Sequence, residues 1–122
     1  MKRIDGAVLP HHPADPANFV ASATMQRLLG REDGESVRLY RVRFDEGART
    51  NWHTHDGSQL LFGLSGRCVV VDRSGNELVL EPGDVVVIEA DLEHWHGAAP
   101  GCSGEHLAIN VGSDTVWLDS SE

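Results

Sequence analysis

Between Val37 and Phe44 apolar and polar positions alternate: Tyr40, Val42 and Phe44 share one face and Arg41 and Arg43 the other, the period of a half-buried strand. Short runs rich in Val, Leu and Ile follow at Gln59 to Leu64, Cys68 to Asp72, Glu77 to Leu80, Val85 to Ile88 and Leu107 to Val111. Glycine-bearing turns punctuate them at Ser65-Gly66, Ser74-Gly75-Asn76 and Pro82-Gly83-Asp84. Upstream the pattern is weaker. Residues 19–29 fit neither the strand nor the helix period, and residues 30–35 read as a polar loop. Residues 1–17, with Pro10, Pro13, Pro16 and the pair His11-His12, read as an irregular arm whose histidines are solvated. Regularly spaced strands with no long helix between them predict an all-β barrel or sandwich over residues 18–122.

The chain has 122 residues, enough for one domain and one core and too few for a dinucleotide-binding domain with a partner. Ten Lys+Arg against 19 Asp+Glu give a net charge of −9, which repels phosphate backbones. No nucleic-acid partner and no anionic membrane surface are therefore expected. Lys2 is the only lysine, which removes Schiff-base chemistry. Met1-Lys2-Arg3 leads to Asp5 rather than to an apolar run, and no stretch reaches membrane-spanning length. With two cysteines far apart, Cys68 and Cys102, the expected setting is a reducing cytoplasm, with a disulfide between them left open.

Candidate chemistry lies with the histidines. Five of the seven fall at His53 and His55, at His94 and His96, and at His106. Side chains at i and i+2 of a strand share a face, so His53 and His55 can present both imidazoles to one point. A third imidazole and one further donor would complete a site for Mn, Fe, Co, Ni, Cu or Zn. His106, Ala108 and Asn110 share one face of the last clear strand and Leu107, Ile109 and Val111 the other. If the apolar triplet packs outward, His106 and Asn110 look into the barrel, across from Tyr40 and Val42. Trp52 and Trp95 flank the paired histidines and are expected to wall the site, with Trp117 in the core or at an interface.

From Gly47 the order is five residues, His53-Thr54-His55, three residues, Gln59, six residues and Gly66. Downstream, Pro82-Gly83-Asp84 is followed ten residues on by His94. This resembles the two-part signature of the cupin superfamily, here at about residues 47–66 and 75–98, whose first motif reads G-x5-H-x-H-x3/4-E-x6-G. The resemblance implies a double-stranded β-helix, a jelly-roll-like barrel in a single domain. Two departures stand out: Gln59 replaces the usual glutamate, and the interval from Gly83 to His94 exceeds the standard second motif. A neutral amide beside three neutral imidazoles leaves the ion its full double charge, a stronger Lewis acid toward an anionic ligand.

Gly47-Ala48-Arg49-Thr50, Trp52-His53-Thr54-His55, Gln59 and His94-Trp95-His96-Gly97-Ala98-Ala99-Pro100 are most similar to the small bacterial cupins that include manganese-dependent hydroxynitrile lyases. That resemblance implies metal ligands at His53, His55, Gln59 and His94, a catalytic histidine at His106 next to the substrate, and a pocket formed with Tyr40, Val42, His96 and Asn110. It implies one divalent ion per chain, Mn(II) first and Fe(II) second, with Ni, Zn or Co able to occupy purified protein. The expected activity is cleavage or formation of cyanohydrins, small organic substrates. The alternatives are an Fe(II)- or Mn(II)-dependent cupin dioxygenase and a non-enzymatic metal- or small-ligand-binding cupin. A homodimer or homotetramer is expected, with the segment near Phe19 crossing between copies.

Overall fold

The computed structural model describes residues 1–112 and 114–122. Its strands run β1 (His11–Pro13), β2 (Phe19–Val20), β3 (Ala23–Leu29), β4 (Val37–Phe44), β5 (Arg49–Thr50), β6 (His53–His55) and β7 (Gln59–Gly66). They continue as β8 (Cys68–Asp72), β9 (Glu77–Leu80), β10 (Val85–Ile88), β11 (His94–Ala98), β12 (Gly104–Val111) and β13 (Thr115–Trp117). Among the described residues the one helical piece is a 3-10 turn at Arg31–Asp33. No helix there is long and apolar enough to cross a membrane.

One sheet runs in the order β1-β3-β4-β12-β7-β10. The other runs β13-β6-β11-β5-β2, with β8 on the far edge of β11 and β9 beyond it. Phe44, Leu61 and Ile88 from the first sheet meet Phe19, Leu80 and Ala98 from the second in one shared core, as an all-β barrel requires. Strand parity decides what faces it. Along β12, His106, Ala108 and Asn110 are buried while Leu107 and Ile109 are half-buried and Val111 is exposed. The apolar triplet therefore does pack outward.

Two glycines are dictated by close approach. Gly66 takes a left-handed φ of 62°, and a Cβ there would run into the Ser103 carbonyl oxygen. Gly97 lies on β11 where β5 crosses, and a Cβ there would strike the Ala48 carbonyl oxygen and Arg49. Gly66 lets β7 and β12 meet within the first sheet, and Gly97 lets β5 approach the strand that carries His94 and His96.

Two expectations need correction. Residues 19–29 are strands, interrupted at Ala21 with φ 59°, and β3 carries a register shift between Arg27 and Leu29; an extra residue breaks the period of two. The arm contains a strand, since His11–Pro13 pairs with β3 at the edge of its sheet, where a proline costs no ladder bond. The Gln26 side-chain amide reinforces it by donating to the Gly6 and Leu9 carbonyls. His11 and His12 are exposed there, as expected of a solvated pair. Phe19 is 8% exposed, with its ring 6.2 Å from Phe44 and its strand paired to β5. Cys68 and Cys102 are both free thiols. Burial, aided by Glu105, pushes the Cys68 thiol up to about 12.

Candidate metal centre

Three strands bring the predicted ligands together. β6 pairs with β11 so that His53 stands opposite His94, and their ring centroids are 4.3 Å apart. His55, two residues along β6, has its ring 4.9 Å from His53 and 5.6 Å from His94. Gln59 opens β7 on the facing sheet and is 3% exposed. All four side chains are buried.

Hydrogen bonds set the state of each donor. His53 Nδ1 donates to the Asn51 carbonyl at 2.9 Å, and His94 Nδ1 to the Leu92 carbonyl at 2.8 Å. A carbonyl only accepts, so in both rings the Nδ1 carries the proton and Nε2 keeps its lone pair. His55 Nδ1 meets the Thr115 hydroxyl at 3.0 Å, and its buried Nε2 has no partner among the described residues. Gln59 Nε2 donates to Asn110 Oδ1 at 2.7 Å, which turns Oε1 to within 3.1 Å of His94 Nε2. Two lone pairs then face each other in a buried site, a contact that a shared cation relieves. The donor set fits a divalent metal: three imidazole nitrogens and one amide oxygen, each oriented from behind.

Burial disfavours the charged form of these rings. It holds His53 well below its ordinary range, helped by its neighbours His94 and His55, and it lowers His94. It also brings His55 down to about 4, with His94 and Arg38 adding to the effect. Neutral imidazole is the form that ligates a metal.

A different trio is tighter in space: one nitrogen each from His53, His94 and His96 lies within 4.8 Å of the others. His96 differs in its hydrogen bonding. Its Nδ1 is 3.0 Å from His106 Nε2, so the two imidazoles share one hydrogen bond. Burial depresses both rings, His106 to about 4, with His106 itself adding to the shift of His96. Their electrostatics match the first trio, whereas their hydrogen-bond partner is another imidazole.

Beside the centre is a cavity of about 500 Å³. The expected pocket residues Tyr40, Val42, His96 and Asn110 all line it, as do His53, His55 and Gln59. His106, expected beside a substrate, is wholly buried behind His96 and is not among the lining residues. Sequence reasoning passed over two other wall residues. Trp117 comes from the tail on β13, directly opposite His53 in register, with their rings 4.7 Å apart. Arg38 shares the parity of Tyr40 and Val42 on β4, a signal that was present in the alternation. Trp52 and Trp95 do not wall the site. With their neighbours His53, His94 and His96 turned inward, strand parity turns these rings away, and they carry Arg73 at 4.0 Å and Arg49 at 5.0 Å instead.

A family profile described as a cupin domain matches residues 40–103. Over the whole chain, and over 92% of the relative, the sequence is 36% identical to an (R)-mandelonitrile lyase of Granulicella tundricola. A crystal structure of a cupin-like protein from Thermotoga maritima superposes with a TM-score of 0.86 at 32% identity, covering 90% of this chain and 86% of that one. The polyketide cyclase RemF from Streptomyces resistomycificus superposes with a TM-score of 0.80, covering all of this chain and 88% of that one; at 20% identity it speaks to the fold alone.

Proposed function

The chain belongs to the cupin family, and from that membership we propose that it is a metal-dependent lyase that cleaves or forms cyanohydrins. The observation that carries the reading is the lone-pair contact between His94 Nε2 and Gln59 Oε1 at 3.1 Å, with His53 and His55 on the same side. In this reading His53, His55, His94 and Gln59 hold one divalent ion, Mn(II) ahead of Fe(II), an order that rests on the family resemblance. The ion supplies Lewis acidity, lowering the pKa of a substrate hydroxyl beside it and stabilising negative charge on that oxygen.

The chain's own groups manage the proton and the geometry. Cleavage breaks the bond between the hydroxyl-bearing carbon and the nitrile carbon; the electron pair leaves with cyanide as the O–H pair becomes the second carbonyl bond. His96 stands in the cavity wall with Nδ1 committed to His106, so its Nε2 is the atom placed to receive the hydroxyl proton and return it to cyanide. His106 is then a positioning residue that holds the His96 ring from behind through the contact with Nδ1. Tyr40, Val42 and Trp117 give the substrate an apolar stretch of wall.

The test is benzaldehyde release from mandelonitrile by protein loaded with Mn(II). Metal-dependent release that a chelator abolishes is the expected result. No release from fully loaded protein, from mandelonitrile or from a carboxylate-bearing cyanohydrin, would overturn the lyase reading, and oxygen uptake in its place would put a dioxygenase first.

A further inference from the structure

Arg38 is a cavity-wall residue that neither the core nor the metal centre employs. On β4 it stands opposite Asn110 in register, and Asn110 in turn stands opposite Gln59 on β7. Its Nε and Nη2, the two donors that form one edge of the guanidinium fork, are buried and lack a hydrogen-bond partner among the described residues. A guanidinium stays charged at any accessible pH, and its fork geometry matches a carboxylate bidentately. Arg38 as a whole is half-buried, and a guanidinium whose one edge lacks a partner in a cavity wall is suited to an incoming anion.

The carboxylates in the same wall are engaged elsewhere. Asp15 Oδ1 accepts from the Ala17 backbone N–H at 2.9 Å. Asp114 has a largely exposed side chain, with Oδ1 3.7 Å from Arg31. Neither pairs with Arg38. The charge of Arg38 also reaches the centre, where it adds to the depression of His55.

We propose that Arg38 is a carboxylate-recognition site, so that the substrate is a small hydroxy or oxo acid derivative whose carboxylate seats on the guanidinium while its hydroxyl or carbonyl faces the metal centre. The assignment of the reacting group rests on the lyase reading; the anion preference does not. Adjacent strands are about 4.8 Å apart, so two steps separate the Arg38 and Gln59 backbones by about 10 Å. Both side chains reach into that span, which leaves room for a few bonds between the two substrate groups.

The experiment is calorimetric titration of Mn(II)-loaded protein with 4-hydroxybutyrate and with its carboxamide, on wild type, Arg38→Gln and Arg38→Lys, with metal content matched. Wild type is expected to bind the acid about tenfold or more tightly than the amide. Arg38→Gln loses that preference, and Arg38→Lys, which keeps the charge without the fork, retains part of it. A carboxylate preference that survives in Arg38→Gln would place the carboxylate on the metal and overturn the proposal, as would equal or absent binding of the acid by wild type. Cyanohydrin cleavage is scored separately, on mandelonitrile and on a cyanohydrin that carries a carboxylate: failure on both refutes the lyase reading and leaves the anion preference standing.

Discussion

Two sets of buried histidines share the barrel and are wired differently. His53, His55 and His94 each tie Nδ1 to a backbone carbonyl or a hydroxyl and keep Nε2 for the interior. His96 and His106 tie to each other. Burial depresses every one of these rings, so their pKa directions alone do not tell the sets apart. The hydrogen-bond partner does: a carbonyl, which only accepts, locks His53 and His94 as ligands and a hydroxyl holds His55, whereas an imidazole held by another imidazole can pass a proton. One wiring suits a resident cation and the other suits proton movement.

The sharpest way to separate the sets is to remove His106. His106→Ala is expected to keep its metal, measured by elemental analysis, while cyanohydrin cleavage falls by about 10²- to 10⁴-fold. Loss of metal with the activity would merge the two sets. A smaller effect tests the locking of the first set from behind. Thr115→Val keeps the shape of Thr115 but removes the hydroxyl on His55 Nδ1, so metal affinity, read by chelator competition, should weaken by about 10- to 100-fold.

Acid probes both sets in the metal-free protein, with the smallest expected effect. The folded His106 titrates at about 4 and the unfolded ring at its ordinary 6.5, so the unfolded chain binds more protons in between. Stability from that residue is complete above pH 6.5 and is lost as pH falls toward 4. At pH 5 the loss is about 2 kcal/mol, and His55, with a similar folded value, adds a comparable amount. Thermal unfolding at pH 7 and pH 5 reads it; equal midpoints would contradict neutral burial of these rings.

Much of this was legible in the residues. The alternation from Val37 and the glycine turns anticipated most of the strands, because a sheet with one buried face imposes a strict period of two. That His53, His55, Gln59 and His94 come together in space was legible because their spacing matches a known signature. What escaped depends on tertiary position. Parity says that His106 points inward, but not that His96 stands between it and the cavity. Trp117 reaches the site through a pairing of β13 with β6 across more than 60 residues, which no local pattern records. Trp52 and Trp95 show the opposite failure: adjacency to a site histidine in sequence turns a strand residue away from the site.

The central claim is that His55, and not His96, completes the metal trio with His53 and His94. The most direct measurement is the metal content per chain of His55→Ala and His96→Ala after identical Mn(II) loading and desalting. The account predicts that His96→Ala retains about one ion per chain and that His55→Ala retains little. The reverse, metal kept without His55 and lost without His96, would contradict it and assign the site to the tighter trio of His53, His94 and His96.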